Sequence, residues 1–211
     1  MKLRKILLKY FLPFVLLFLT LSVFSLLPSV QKVYYPFFEQ FTISMLNGNM
    51  EDVYFQAKPK SAKTDLDYNT VGVLFNSKSA LTAIAMEARR RNIQAEYKYK
   101  GFNVTIDETF IAPLIFFVSL LLFTPGGIAK KLIAFLVGTL LILGFSYCIV
   151  YFKGLYMVNK SGVRDFLYSQ NDLNFFQLAH FTFSSVTAVT VVLVVWILVA
   201  FRKSDLNKLF L

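Results

Sequence analysis

One cysteine, one histidine and one tryptophan occur among 211 residues. A lone cysteine, Cys148, allows no intrachain disulfide, so any domain outside a membrane must hold together by packing alone. One His and one Cys cannot supply a usual zinc site, and there is no Walker-type loop or dinucleotide fingerprint. No metal and no cofactor is expected. Charge is scarce as well. Charged residues make up 16% of the chain and apolar residues 56%, against about 25% and about 45–50% in soluble domains. A soluble domain of this size cannot bury that much apolar surface, so lipid is expected to cover part of it.

Four runs, residues 10–28, 110–125, 132–152 and 178–201, hold no charged side chain. The tails and the short turn beside them are basic: Lys2, Arg4, Lys5 and Lys9 in residues 1–9, Lys130 and Lys131 in 126–131, Arg202 and Lys203 in 202–211. Basic residues gather on the cytoplasmic side of membrane helices. The expected architecture is therefore an α-helical integral membrane protein with four transmembrane helices and both ends cytoplasmic. The first run is too long for a signal-peptide core and lacks a small-residue cleavage site, so it reads as a retained anchor, with Pro13 in its first turns. The second is short for a span and stops at Pro125-Gly126-Gly127. The Phe-, Lys-, Tyr- and Asn-rich composition suits a bacterium, which places the chain in an inner membrane.

The net charge of +10 would suit a nucleic-acid binder, but residues 29–109, expected outside, carry ten basic and nine acidic side chains. Nucleic acid is not an expected partner. Ion-coupled transporters and pumps generally place ionisable groups in the middle of their spans, and no charged residue lies in the centre of any run here.

The outer segment 29–109 predicts a small α+β domain. Val33–Met45 is aromatic and amphipathic, suited to a membrane surface. Asn47-Gly48-Asn49 reads as a turn, Asp52–Ala57 and Thr70–Phe75 as strands, and Lys58–Asn69 as a polar loop. Ser77 suits a cap for a helix over Lys78–Asn92, with Leu81, Ile84, Ala85 and Ala88 on one face. Glu96–Lys100 alternates around Tyr97 and Tyr99, and Phe102, Val104 and Ile106 alternate again beyond Gly101, which reads as a bend. The expected order is strand, strand, helix, strand, strand. Residues 153–177 form a second outer loop rich in rings, Tyr156, Phe166, Tyr168, Phe175 and Phe176, with a short interfacial helix over Val163–Leu173.

Three residue sets invite a role. Cys148, Arg164 and His180 provide the types a membrane cysteine transpeptidase needs: a thiolate, an oxyanion donor and a base. No local motif surrounds them, and a free cysteine commonly behaves as a small hydrophobe. Arg89-Arg90-Arg91 ends the outer helix, where cations either complement the helix dipole or bind an anionic ligand or acidic partner. With Phe166, Tyr168, Phe175 and Phe176 they form the expected contact surface. Ala134 with Gly138 and Ser184 with Ala188, each four apart, make small-residue faces for close helix packing within the chain or against another. Asn103-Val104-Thr105 and Asn159-Lys160-Ser161 match the glycosylation sequon, which matters only in a eukaryotic secretory pathway.

The layout resembles that of the exosortase-associated small membrane proteins of bacteria. The resemblance rests on the N-terminal anchor with a short outer domain, on chain length, and on Ala112-Pro113-Leu114 leading through Leu120-Leu121-Leu122 to Thr124-Pro125 and the basic turn. It implies an accessory role beside a protease that sorts surface proteins, not catalysis by this chain. Exosortases use a Cys/Arg/His set, but Cys148 stands in Ser146-Tyr147-Cys148-Ile149, without the small-residue context of that nucleophile. The leading expectation is a non-enzymatic accessory or assembly subunit of an envelope complex for protein sorting, export or surface polysaccharide, binding another membrane protein through its outer domain. The alternatives are the cysteine transpeptidase and a structural subunit that packs only through its spans.

Overall fold

The computed structural model describes residues 11–59, 68–124, 126–163, 170–183 and 185–200. The elements run α1 (Leu12–Ser25), α2 (Pro28–Asn49), β1 (Val53–Ala57), β2 (Thr70–Ser77), α3 (Lys78–Arg91), β3 (Lys100–Thr105), a π-helical turn (Asp107–Ile111), α4 (Ala112–Phe123), α5 (Ile128–Ser161), α6 (Gln170–Thr182) and α7 (Ser185–Ala200). The chain divides into two compact units. The first comprises Met1–Gln31, Asp107–Cys148 and Ser184–Leu211, and the second Lys32–Ile106 and Ile149–Phe183.

The first unit is helical and its core is apolar. Phe117 and Leu121 of α4 pack with Ala134 and Ile142 of α5 and with Val192, Val195 and Ala200 of α7. The small face expected at Ala134 and Gly138 is filled from inside the chain. The Phe117 ring lies so close that a Cβ on Gly138 would stand 2.0 Å from its Cζ. Phe14 and Phe18 of α1 meet Phe116 edge-on, with ring centroids 5.8 and 5.5 Å apart. The outward faces are apolar too: Leu16, Leu19 and Val23 on α1, Leu132, Leu136 and Leu140 on α5, and Val194, Ile197 and Leu198 on α7 are all exposed.

Helix ends and a proline free several carbonyls in this unit, and side chains take them up. Pro113 has no N–H to offer the carbonyl four residues back. That carbonyl belongs to Thr109, in the π-helical turn, and it accepts from the buried Ser146 Oγ at 2.6 Å. At the other end of α4, Lys131 Nζ donates to the Leu122 carbonyl at 2.7 Å, as a cation at a helix C-terminus favours. Trp196 Nε1 donates to Thr124 Oγ1 at 2.8 Å, so the one indole N–H of the chain is satisfied. Asp107 opens the π-helical turn. Burial pushes its carboxyl above the usual carboxylate range and neighbouring Glu108 pushes the same way, against a hydrogen bond with Ser25.

The second unit is built on an antiparallel sheet in the order β1-β2-β3. Alternation puts Val53 and Phe55, then Val71, Val73 and Phe75, then Phe102 and Val104 on one packed face. Each fully buried phenylalanine contributes roughly 1.5–3 kcal/mol through the apolar area it removes from water. The inward stripe of α2 is Tyr35, Phe38, Thr42, Met45 and Leu46, at helical spacing. Gly154 of α5 lets Leu46, Met50 and Phe102 come close: a Cβ there would meet Leu46 Cδ2 at 2.6 Å and Phe102 Cζ at 3.7 Å. The C-terminal segment of α5 and the end of α2 therefore lie on the Phe102 face of the sheet. Lys100, on that face, donates from Nζ to the carbonyl of Ser161, the last residue of α5. The α6 helix docks on α5 through stacked rings, Phe152 with Phe183 and Tyr156 with His180, centroids 4.9 and 5.2 Å apart.

Several expectations change. Among the described residues three strands form where four were expected. Glu96–Tyr99 is irregular: Tyr97 and Tyr99 pack on each other at 6.4 Å, and the Lys98 carbonyl accepts from the Asn76 side chain at 2.8 Å instead of joining a ladder. Gly101 lies inside β3, not at a bend. Asn47-Gly48-Asn49 ends α2, and the turn follows at Glu51-Asp52. The run expected over 178–201 falls on two helices: α6 ends at Thr182 and α7 begins at Ser185. Among the described residues, α5 is long and apolar enough to cross a membrane alone, while the α1–α2 and α6–α7 pairs reach that measure only when each is joined across its bend. The 12 residues of α4 extend about 18 Å, short of a hydrocarbon core of about 30 Å. The basic tails, most of the polar loop and residues 164–169 of the expected interfacial helix lie outside the described residues.

Gly138→Ala should lower stability by about 1–3 kcal/mol, because the Phe117 ring is fully buried and has nowhere to move. Thermal unfolding in detergent would show this as a lower midpoint. Phe117→Leu in the same chain should restore part of the loss, giving a non-additive pair; strict additivity would mean that the contact does not carry the packing.

Candidate functional site

The helix α3 starts where the sequence places it. Ser77 Oγ accepts from the Ala80 amide at 3.4 Å and lies 2.6 Å from Ser79 Oγ. It ends at Asn92, whose φ of 51° is the left-handed conformation common after a helix. Leu81, Ile84 and Ala85 are half-buried and Ala88 buried, so the expected apolar face does point inward. The last turn is Arg89-Arg90-Arg91. Arg91 Nε donates to Glu87 Oε1 at 2.6 Å, an exposed pair one turn apart. Such pairs contribute only about 0.3–0.5 kcal/mol, so this one orders Arg91 more than it stabilises the helix.

Arg89 and Arg90 are exposed, and two apolar residues that the sequence reading passed over are exposed near them in the chain. Met86 stands one turn before the pair on α3, at i to i+3 and i+4, and Ile93 follows just beyond the end of the helix; each is 60% exposed. Tyr97, six residues after Arg91, is exposed as well. The inward face of α3 is already supplied by its alanines, leucine and isoleucine, so Met86 and Ile93 are surplus to the core. The signal in the sequence was an apolar residue three before the arginines and another just beyond the helix, off the inward face.

The remaining candidates belong to both units or lie outside the described residues. Cys148 is a free, half-buried thiol of the first unit, and His180 belongs to the second, stacked on Tyr156 with its Nδ1 buried and without a hydrogen-bond partner. Arg164, Phe166, Tyr168 and Ser184 lie outside the described residues. Phe175 and Phe176 are on α6 with ring centroids 5.9 Å apart, Phe175 exposed and Phe176 half-buried. Ala188 is buried in the first unit. A groove of about 440 Å³ runs between α2 and β1, lined by Pro36, Gln40, Ile43, Asn47, Tyr54 and Gln56 among others. Asn47 closes one side of it. Its Oδ1 accepts from the Phe55 N–H and its Nδ2 donates to the Phe55 carbonyl, both at 2.9 Å, so the outer edge of β1 is occupied there.

Comparison with known proteins finds no matching family model, no matching curated protein and no matching solved structure.

Asn47→Leu should remove both bonds and leave two backbone groups of Phe55 without partners, at a cost of about 1–3 kcal/mol. Hydrogen exchange at the Phe55 amide should speed up by an order of magnitude or more. An unchanged rate would show that the strand edge does not depend on this side chain.

Proposed function

We propose that this chain is a four-span bacterial inner-membrane protein, with both ends cytoplasmic, that acts as a non-enzymatic accessory or assembly subunit of an envelope complex. Its second unit would stand outside the membrane and bind another protein of that complex, in protein sorting, export or surface polysaccharide assembly. The observation that carries this reading is the exposed pair Arg89 and Arg90 on α3, with exposed Met86 one turn before it and exposed Ile93 just beyond the helix. Methionine and arginine are enriched in protein interfaces, and an arginine pair flanked by apolar side chains suits a partner with an acidic, partly apolar patch. Like the family resemblance noted above, this favours an accessory part over catalysis.

The membrane half of the proposal has separate support. The two segments gathered in the second unit, Lys32–Ile106 and Ile149–Phe183, overlap those that the charge pattern assigns to the outer side. The 34 residues of α5 exceed the roughly 20 that a span needs. Residues Ile149–Ser161, its surplus, are the part that belongs to the second unit. The exposed apolar faces of α1, α5 and α7 suit lipid.

Replacing Arg89, Arg90 and Arg91 with glutamate should cut recovery of co-purifying envelope proteins tenfold or more, with membrane insertion and yield unchanged. Quantitative mass spectrometry of the tagged protein, extracted in mild detergent, reads this out. Unchanged recovery would remove the arginines from the proposal.

A further inference from the structure

The groove of about 440 Å³ between α2 and β1 lies wholly within the second unit. Its helix wall is one face of α2: Pro36, Glu39, Gln40, Ile43, Ser44 and Asn47 stand at i, i+3, i+4, i+7, i+8 and i+11. At 1.5 Å per residue that face extends about 16 Å. The strand wall is β1, where Val53 and Phe55 turn into the core and alternation leaves Tyr54 and Gln56 on the other face. Glu39, Asn47 and Gln56 are half-buried, and Gln40, Ser44 and Tyr54 are exposed. Asn47 spends its amide on the two backbone groups of Phe55. The side chains of Glu39, Gln40, Ser44, Tyr54 and Gln56 make no hydrogen bond among the described residues. Five polar side chains without a protein partner therefore meet along one elongated recess.

The chemistry of this lining selects a ligand. Carboxamides offer a donor and an acceptor side by side, hydroxyls offer either, and a carboxylate accepts. No lysine or arginine lines the groove, so nothing there holds a phosphate or a carboxylate. An added peptide strand would need the backbone groups of β1, and Asn47 already occupies those of Phe55. An apolar ligand would take the polar side chains out of water and return no hydrogen bond. A chain of sugar rings matches what remains: each hydroxyl both donates and accepts, and the C–H face of a ring suits the Tyr54 side chain. We infer that the groove between α2 and β1 is a binding site for a neutral carbohydrate chain. Glu39, Gln40, Ser44 and Gln56 hydrogen-bond its hydroxyls, and Tyr54 packs on a ring. As a role in the cell this rests on the outward placement of the second unit proposed above, and among the pathways named there it selects surface polysaccharide. The arginines of α3 are not part of the groove.

Saturation-transfer NMR on the full chain in phospholipid nanodiscs, free of sugar-headed detergent, tests this. The probes are soluble tetramers of glucose, mannose, galactose and N-acetylglucosamine, with tetralysine as a cationic control. At least one tetrasaccharide should receive saturation. Gln40→Ala with Gln56→Ala removes two ligand hydrogen bonds and should raise its Kd about tenfold or more. The Phe55 amide should keep its hydrogen-exchange rate in that variant, which shows that the strand and its Asn47 clamp are intact. Glu39→Gln retains an acceptor and should weaken sugar binding by less than the double variant does. Absence of transfer to all four tetrasaccharides would overturn the inference, as would an unchanged Kd in the double variant. Tetralysine binding that Glu39→Gln abolishes, without sugar binding, would assign the groove to a cationic ligand instead. The measurement does not depend on topology or on a protein partner. A negative result therefore removes the groove and leaves the accessory reading standing, whereas loss of that reading leaves sugar binding in the nanodisc unchanged.

Discussion

A backbone group that loses its regular partner is satisfied by another where one is in reach, and several of the long-range contacts among the described residues answer that need. Pro113 leaves Thr109 without its usual donor, and Ser146 supplies one. The C-terminal carbonyls of α4 and α5 receive lysines, Lys131 at Leu122 and Lys100 at Ser161. The edge of β1 receives Asn47, and the chain before β3 receives Asn76 at the Lys98 carbonyl. These contacts are few, but each fixes where an element stops or what lies beside it. The apolar packing supplies most of the energy, and the polar contacts determine the arrangement.

Within that arrangement one place stands out: Met86, Arg89 and Arg90 are exposed on α3, and Ile93 just beyond it, although the helix also buries an apolar face of its own.

Much of the second unit was legible in the sequence because its strands alternate cleanly. Val71, Val73 and Phe75 read as one face, as do Phe102, Val104 and Ile106, and Ser77 reads as a cap from its position alone. Ala134 and Gly138 were legible as a close-packing face, though not that Phe117 would fill it. Other features were hidden for physical reasons. Tyr97 and Tyr99 alternate as a strand would, but their backbone is held by a side chain 22 residues away, a long-range contact that no local pattern encodes. Asn47 looks like a turn residue because asparagine suits turns; its work as an edge clamp depends on where β1 arrives. Gly154 is an unremarked glycine at the start of the expected outer loop until Leu46 is packed against it. The exposed set at the end of α3 was half legible: the arginines stood out, and the apolar residues near them did not, because hydrophobic side chains are read by default as core.

The account stands on which side of the membrane each unit occupies, and labelling of single cysteines in intact cells measures that most directly. In a Cys148→Ser chain, a membrane-impermeant maleimide should react with Ser79→Cys on α3 and not with Lys130→Cys in the basic turn, until the membrane is opened. Labelling at Lys130→Cys in intact cells, or protection at Ser79→Cys, would contradict the topology and the partner-binding role built on it.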